Sequence, residues 1–155
     1  MILEEYSTME IYKLSTSKIK DFRQLIELFG ESFDQKDVYD NNSLSDEFLK
    51  SFLQNKNHII YVANLENTIA GGLVAYVLEK FEKNRKEIYI YDLAVKEEYR
   101  RRKIATNLIN ELRHYSKSIG AYVIFVQADY EDNPAIKLYE SLGKKEEVLH
   151  FDIDL

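Results

Sequence analysis

The stretch EIYIYDLAVKEEYRRRKIATNLI, residues 87–109, combines three patterns that decide the fold. An alternating run of β-formers leads to four consecutive cations, Arg100, Arg101, Arg102 and Lys103, and then to apolar residues at helical spacing. These patterns predict a strand, a cationic turn and a helix. Such a turn points free backbone N–H groups and the positive end of a helix dipole toward one place. The residues therefore indicate a phosphorylated cofactor, although a solvated basic helix start would show the same cations.

Composition limits the classes of protein to which the chain can belong. Its 155 residues are typical of one domain, and the apolar fraction of 45% argues against disorder. The net charge of −6 disfavours a general nucleic-acid binder and favours either an inert surface or a cationic partner. The four-cation cluster therefore contrasts with an acidic body.

The absence of certain sequence features excludes further classes. The chain has no cysteine, which excludes disulfides, thiolate metal sites and a cysteine acyl-enzyme. The three histidines have no partner ligands at metal spacing, so we expect no metal site. The first residues resemble no basic leader, and no run approaches about 20 apolar residues, so we expect a cytoplasmic protein without a membrane span.

The remaining patterns divide the chain into alternating strands and helices. Gly71 and Gly72 lie inside one predicted strand and indicate a bulge or a close backbone approach there. We predict the following elements: a strand at 9–15, a helix from Ile19 that stops at Gly30, a second helix capped by Ser45, a hairpin of strands at 58–66 and 68–81, a strand at 87–95, a helix from Ile104 that ends at Gly120, a strand at 121–129 covered on both faces, a helix from Asn133, and a last strand at 144–155.

This order resembles the fold of the GNAT N-acetyltransferases, and two motifs carry the resemblance. Residues 100–105 are similar to the acetyl-coenzyme A signature Arg/Gln-x-x-Gly-x-Gly/Ala, with Lys103 at the family's first glycine. Asn133-Pro134-Ala135 and the following LYESLG resemble the N-x-x-A-x-x-L-Y-E-x-L-G-F segment, with Lys144 replacing the aromatic residue. The resemblance implies an α/β fold with a mixed sheet of about seven strands and four helices, in a single domain at 1–155.

A closer resemblance is to the type I aminoglycoside 3-N-acetyltransferases of this superfamily. It covers residues 57–154 well and the N-terminal third loosely. It implies acetyl transfer from acetyl-CoA to the 3-amino group of 2-deoxystreptamine in antibiotics such as gentamicin, and hence resistance. The residues that carry it are EIYIYDLAV at 87–95, IAT at 104–106, GAYVI at 120–124, VQADY at 126–130 and HFDID at 150–154.

Asp92 and Tyr139 are the expected catalytic residues. Asp92 interrupts an apolar strand and is the candidate base, with Glu87 and a water relay as the alternative; it would otherwise only bind backbone N–H groups. Tyr139 occupies the superfamily position that donates to the departing thiolate, although a core tyrosine is the alternative interpretation. The expected cofactor-binding residues are Leu93, Ala94, Val95, Arg100, Arg101, Arg102, Lys103, Ile104, Ala105, Thr106, Asn133, Ala135 and Tyr139.

The resemblance implies a cationic aminoglycoside as acceptor, and acidic residues near the site motifs agree with a cationic ligand. The predicted substrate-binding residues are Asp92, Asp129, Glu131, Asp132 and Asp152, with the loop acids Asp34, Asp37 and Asp40 as a further wall or as a merely solvated loop. Two alternatives stay open: an acetyltransferase for another small-molecule or peptide amine, and a non-catalytic acyl-CoA-binding module. The oligomeric state, including a homodimer, is also open.

Overall fold

The computed structural model describes residues 8–155 and consists of one five-stranded sheet with helices on both faces. The strands are in the order β1-β2-β3-β4-β5, antiparallel except for the parallel pair β4 and β5. The strands are Met9–Lys13 (β1), His58–Leu65 (β2), Thr68–Lys80 (β3), Arg85–Val95 (β4) and Ala121–Val126 (β5), and the helices are Ile19–Ser32 (α1), Asp46–Gln54 (α2), Ile104–Ser118 (α3) and Asn133–Leu142 (α4).

Two apolar cores lie on opposite faces of the sheet. Leu108 and Leu112 of α3 are fully buried against one face, whereas Leu25 of α1 and Leu49 of α2 are buried against the other. The helical spacing of apolar residues in these segments therefore corresponds to real buried stripes. Ser45 caps α2 as predicted, because its hydroxyl accepts a hydrogen bond from the Phe48 N–H at 3.1 Å.

The glycine pair in β3 marks a close approach on both faces of the sheet. A Cβ on Gly71 would lie 2.9 Å from the Ala94 carbonyl oxygen, and one on Gly72 would lie 2.5 Å from a Leu25 methyl carbon. A side chain at either position would collide with its neighbour. Glycine here lets α1 and the end of β4 pack directly on the β3 backbone.

Strand β4 extends beyond the end of β5 for about half of its length. Its pairing with β5 ends at Ile90, which lies opposite Val126, while β4 itself continues to Val95. The β3–β4 register also shifts at this point, because Val74 faces Asp92 and Ala75 faces Ile90, so Tyr91 is an extra, bulged residue. The segment that follows the bulge is therefore free of a strand partner on its β5 side.

Three expectations from the sequence were wrong. Residues 144–155 form no strand, so the sheet has five strands rather than about seven. Strand β5 is not covered on both faces, since none of its residues is buried. Gly30 does not stop α1, which continues to Ser32. Alternating or continuous apolar residues indicate which side chains a segment can bury. A strand also needs a neighbouring strand that supplies its backbone hydrogen bonds.

None of the helices within residues 8–155 is long and apolar enough to cross a membrane. Residues 1–7, part of the segment from which the absence of a leader was expected, lie outside the described residues.

Candidate active site

The cationic turn ends at the N-terminus of α3, which no side chain caps. Lys103 is the N-cap residue, and the first intrahelical bond runs from the Asn107 N–H to the Lys103 carbonyl at 3.0 Å. The preceding N–H groups, of Ile104, Ala105 and Thr106, therefore have no partner within the helix. Side chains do cap α2 and α4, through Ser45 and Asp132. The start of α3 thus combines free donors with the positive end of the helix dipole.

The turn is held in a strained backbone shape that accounts for the glycine of the signature. Arg101 and Lys103 have φ values of 63° and 60°, in the left-handed region that favours glycine. Lys103 stands where the signature has glycine, so the glycine is a requirement of this backbone shape. Lysine adopts the same shape at a conformational cost while adding a positive charge.

The four cations at residues 100–103 remain available to an anionic ligand. All four are exposed, and none forms an ion pair with another residue in the range 8–155. Arg100 donates from Nε to the Val95 carbonyl at 3.2 Å, which ties the turn to the end of β4. The guanidinium of Arg102 lies 5.5 Å from the ring centre of Tyr99.

Asp92 lies immediately after the bulge in β4 and is held by a residue that sequence reasoning missed. The Tyr39 hydroxyl donates a hydrogen bond to Asp92 Oδ1 at 2.6 Å. Burial raises the pKa of the Asp92 carboxyl above its ordinary value, and the hydrogen bond from Tyr39 offsets part of that rise. Asp92 is therefore a partly desolvated carboxylate of increased basicity, as a general base requires.

Tyr39 reaches Asp92 because the loop between α1 and α2 is fastened to α1. Arg23 of α1 donates to the carbonyls of Asn41 and Leu44 at 3.1 and 3.0 Å, and Asn41 donates back to the Arg23 carbonyl at 2.9 Å. The Tyr39 ring packs on Phe29 at a centroid distance of 5.8 Å. The only local signal for this role is an aromatic residue within an acidic loop, which does not reveal a partner 53 positions later.

A cavity of about 160 Å³ opens between α1, α2 and the sheet, beside Asp92. Its walls are mostly apolar or aromatic, and Asp92 is the one carboxylate among the described residues that line it. The residues that line it are Phe22, Ile26, Phe29, Val38, Tyr39, Leu44, Phe48, Leu49, Phe52, Val74, Tyr76 and Asp92.

A row of aromatic rings extends from this cavity toward β5. Tyr76 contacts the bulged Tyr91 at a centroid distance of 6.0 Å, Tyr91 contacts Tyr89 at 5.5 Å, and Tyr89 stacks on Phe125 at 4.7 Å. The Tyr91 side chain is 62% exposed, so this row presents ring surface to a ligand that approaches Asp92. Ring faces of this kind attract cations such as ammonium groups.

Tyr139 lies on α4 and packs against the core on the α3 side of the sheet. Burial, and to a lesser degree the charge of Asp132, raises the pKa of Tyr139 to about 12. Its hydroxyl therefore stays protonated at neutral pH. Asn133 is exposed at the start of α4, Ala135 is half-buried, and Asp132 caps the helix by accepting from the Ala135 N–H at 3.2 Å.

Apart from Asp92, the predicted acidic residues lie on largely exposed segments outside the helices and strands. Asp129, Glu131 and Asp132 lie on the exposed loop after β5, at the sheet edge where β4 and β5 separate. Asp152 lies on the exposed C-terminal segment, where its carboxylate is 3.0 Å from His150 Nε2. Of the loop acids, Asp40 accepts from the Asn42 N–H at 2.9 Å. Within residues 8–155, no three His, Cys, Asp or Glu side chains converge as metal ligands would.

Glu87, the alternative base, is occupied by an ion pair. Its carboxylate lies 3.7 Å from Lys80 Nζ, and its partner across the ladder is Leu78, near the opposite end of β4 from Asp92. The geometry thus favours Asp92 over Glu87 as the group that meets a substrate.

The sequence profile described as the Acetyltransferase (GNAT) family matches residues 21–144, which include the cationic turn, the Asp92 strand and α4. The chain belongs to this family. GNAT enzymes use acetyl-CoA as acetyl donor.

Individual relatives extend the family assignment. An aminoglycoside acetyltransferase from an uncultured soil metagenomic sample is 45% identical with a TM-score of 0.91, over 96% of this chain and 99% of the other. A second such enzyme, solved in complex with sisomicin, is 35% identical with a TM-score of 0.86, over 95% and 96%. An N-alpha-acetyltransferase of Saccharolobus solfataricus is 26% identical over 96% of this chain and 90% of its own length.

The GNAT site has the features that acetyl-CoA requires. The uncapped start of α3 and the exposed cations at residues 100–103 suit a pyrophosphate. Strand β5 ends at Val126, opposite Ile90, so the last five residues of β4 have no strand partner on that side. Asp92 lies in this unpaired part of β4, two residues beyond its last paired position.

Proposed function

We propose that this GNAT protein transfers the acetyl group of acetyl-CoA to the 3-amino group of 2-deoxystreptamine aminoglycosides such as gentamicin. The observation that carries the proposal is Asp92, a carboxylate of raised pKa that lines a cavity and lies in the part of β4 that extends beyond β5. The two aminoglycoside acetyltransferases at 45% and 35% identity support this acceptor class. The position of the acetylated nitrogen, the role in resistance and a cytoplasmic location stay predictions.

The proposed reaction needs a base, because an ammonium group has no lone pair with which to attack. Asp92 accepts a proton from the ammonium, directly or through one water. When bound, acetyl-CoA supplies the acetyl group as a thioester. The freed amine nitrogen would form a bond to the acetyl carbon as the carbon–sulfur bond breaks. The second proton that the nitrogen loses would pass through solvent to the departing thiolate, which leaves as a thiol.

Two further groups stabilise the charge that moves during transfer. On the β5 side of β4, the backbone at Leu93, Ala94 and Val95 has no strand partner, so an N–H there donates to the carbonyl oxygen as it gains negative charge. Tyr139, which stays protonated at neutral pH, donates a hydrogen bond to the departing thiolate. Each role needs only a well-placed hydrogen-bond donor.

The remaining predicted residues hold the donor molecule. The N–H groups of Ile104, Ala105 and Thr106, with the cations at residues 100–103, bind the pyrophosphate. Asn133 and Ala135, at the start of α4, lie along the pantetheine arm. Lys103, which departs from the signature, keeps the required backbone shape and adds a further cation.

Aromatic rings and carboxylates together suit a polyamine sugar as acceptor. The ring row that includes Tyr76, Tyr91 and Tyr89 offers cation–π contacts beside Asp92. Asp129 and Glu131, on the adjoining loop, attract ammonium groups and help to decide which amine meets the thioester. Each exposed contact contributes little alone, so recognition depends on several acting on one multiply charged ligand.

A peptide N-terminus is the second candidate acceptor. The apolar cavity beside Asp92 matches a hydrophobic side chain better than a sugar, and the N-alpha-acetyltransferase is a curated relative at 26% identity. The same fold and the same base serve either amine.

Thiol release from acetyl-CoA, measured with a panel of amines, tests the proposal. Gentamicin, sisomicin and fortimicin should be turned over, with one acetyl group added by mass and placed by NMR on the 3-amino nitrogen. Turnover should fall as ionic strength rises. Turnover of a peptide amine with none of the three aminoglycosides would reject the aminoglycoside proposal, and acetyl-CoA binding without any turnover would indicate a non-catalytic module.

A further inference from the structure

Helix α4, which carries Tyr139, is held to the rest of the protein by few contacts. None of its residues is buried, whereas α1, α2 and α3 each contain fully buried side chains. The segments on either side of α4, residues 127–132 and 143–155, are exposed throughout. Half-buried side chains, among them Leu138, Tyr139 and Leu142, pack against the core on the α3 side of the sheet. The position of α4 therefore depends strongly on any further bond between this helix and the rest of the domain.

The C-terminus of α4 lacks the backbone closure that commonly ends a helix. Gly143 follows the helix with φ −158° and ψ −163°, an extended conformation, so the chain leaves the helix without a left-handed residue. The Gly143 N–H donates to the Tyr139 carbonyl at 2.9 Å, but within residues 8–155 no backbone N–H donates to the Leu142 carbonyl. A carbonyl at this end of a helix needs a donor from a side chain or from water.

Arg113 of α3 supplies that donor. Its Nη2 group donates to the Leu142 carbonyl at 3.3 Å, and its Nη1 group donates to Asn110 Oδ1 at 3.3 Å. The guanidinium also brings a positive charge to the negative end of the α4 dipole. Among the residues that the structure describes, this is the one side-chain hydrogen bond that joins α4 to another helix or to the sheet.

Helix α3 is a rigid base for this bond. Leu112, next to Arg113 in the chain, is fully buried against the sheet, as is Leu108 one turn earlier. Asn110 lies three residues before Arg113, so its side-chain oxygen meets the guanidinium on the surface of the helix and limits its rotation. The Arg113 bond thus joins a weakly held helix to a strongly buried one.

The bond acts on the turn of α4 that contains Tyr139. Leu142 lies three residues after Tyr139, so the two side chains share one face of the helix, and both pack against the core on the α3 side. The Gly143 N–H bond to the Tyr139 carbonyl belongs to the same last turn. A rotation or shift of this turn therefore moves the Tyr139 hydroxyl. Because a hydrogen bond weakens steeply with poor angle and distance, such a movement would weaken donation by that hydroxyl.

We propose that Arg113 is a positioning residue for acetyl transfer, which holds α4 so that the Tyr139 hydroxyl meets the departing thiolate. This inference rests on the proposed function, because it needs Tyr139 as the hydrogen-bond donor to that thiolate. Arg113 acts through Tyr139 and not on the substrates. The effect of changing Arg113 should therefore disappear when the Tyr139 hydroxyl is absent.

Thiol-release kinetics of single and double variants test this dependence. Arg113→Met removes the donor groups and keeps a long side chain, and it should lower kcat roughly three- to tenfold with the KM values of both substrates nearly unchanged. In a Tyr139→Phe chain, the same substitution should change kcat by less than about twofold. Lys117→Met is the matched control, since Lys117 is an exposed cation in the last turn of α3, and this variant should keep the kcat of the parent chain.

The possible results separate this inference from the proposed function. No loss of kcat in Arg113→Met, or an equal loss with and without the Tyr139 hydroxyl, would overturn the positioning role and leave the proposed function intact. Full turnover of Tyr139→Phe would remove the thiolate donor from the proposed function, and this inference with it. Circular dichroism checks that each variant is folded. If Arg113→Met does not fold, Arg113→Lys takes its place and should show the same dependence on Tyr139 with a smaller loss of kcat.

Hydrogen exchange provides a measurement that needs no activity. Because Arg113→Met releases α4 from α3, the backbone amides in the last turns of α4 should exchange about tenfold faster than in the parent chain. The amides of α3 should exchange at the parent rate, and Lys117→Met should match the parent in both helices. Unchanged protection of α4 in Arg113→Met would overturn the proposal for any acceptor amine.

Discussion

The hydrogen bond between Tyr39 and Asp92 gives a quantitative test of the proposed base. The Tyr39 hydroxyl lies 2.6 Å from Asp92 Oδ1, within the range of a charge-assisted O–H···O⁻ bond. Replacing Tyr39 with phenylalanine removes this one donor and keeps the ring that packs on Phe29. The ionised carboxylate then loses a stabilising contact, while burial continues to disfavour it.

The magnitude follows from the strength of such bonds. A hydrogen bond to a charged group contributes about 1.5–3 kcal/mol, and each pKa unit corresponds to about 1.4 kcal/mol. Tyr39→Phe should therefore raise the pKa of Asp92 by about one to two units above its already raised value. Because the ionised form accepts the proton, the acid limb of the kcat/KM profile should move to higher pH by the same amount.

The assay measures the rate of thiol release as a function of pH. The aminoglycoside concentration is kept below its KM, so that the rate is proportional to kcat/KM. Tyr76→Phe is the matched control, since Tyr76 lines the same cavity but forms no hydrogen bond with Asp92. The acceptor amine titrates equally in every variant, so the difference between profiles reports the enzyme. An acid limb that does not move in Tyr39→Phe, or that moves as far in Tyr76→Phe, would refute the assignment of Tyr39 and Asp92 as a coupled pair.

Stability measurements offer a check that does not need activity. The pKa of Asp92 is raised in the folded protein, so the native state holds the proton more tightly than the unfolded state. The contribution of Asp92 to the free energy of unfolding is therefore fully present below the ordinary pKa of an aspartate. It is lost as pH rises through the raised pKa of Asp92 in the folded protein. In Tyr39→Phe, this decrease in the free energy of unfolding should extend to higher pH. In Asp92→Asn, the decrease should be absent. Urea unfolding across the acidic pH range measures both.

Three other sets of substitutions test the remaining parts of the site. Asp92→Asn and Tyr139→Phe should each lower kcat about ten- to a thousandfold in thiol-release assays, with circular dichroism showing that both variants are folded; undiminished turnover of Asp92→Asn at every pH would assign the base elsewhere. Arg101→Gln should raise the KM for acetyl-CoA with kcat nearly kept, and less so at high salt; calorimetry that finds parent-like affinity would mean that the phosphate site is misplaced. Lys103→Gly should gain about 1–2 kcal/mol of stability from the relief of left-handed backbone strain and lose about 0.5–1 kcal/mol to the chain entropy of glycine. The melting temperature should therefore rise by up to about 4 °C. Arg102→Gly, at a position without positive φ, should lower the melting temperature.

The features predicted correctly from the sequence depend on neighbours in the chain. Helix α3 and the strand before it have periodic apolar residues, and the cap at Ser45 needs only an N–H three residues later. Gly71 and Gly72 indicate a close approach because glycine weakens a strand unless the backbone there must bend or meet a neighbour. The GNAT resemblance rests on short motifs of the same local kind, which is why the family was identified from them.

The features missed or misassigned depend on partners far along the chain. Tyr39 gave no local sign of reaching Asp92, because its position is fixed by Arg23 and by packing on α1. Residues 144–155 have the alternating apolar and polar residues of a strand, yet they form no strand. Such alternation contains no information on where a neighbouring strand lies.

The sequence by itself thus determined the family and the order of helices and strands up to α4, and it indicated Asp92 and the cationic turn as candidate site residues. Each of these follows from residue type and spacing over a few turns or one strand. Only the tertiary structure decided that the Lys103 backbone is left-handed, that the Tyr39 hydroxyl binds Asp92, and that β4 continues unpaired beyond Ile90, where β5 ends. These depend on which surfaces meet after the chain has folded, because hydrogen bonds and packing between distant segments have no counterpart in local periodicity.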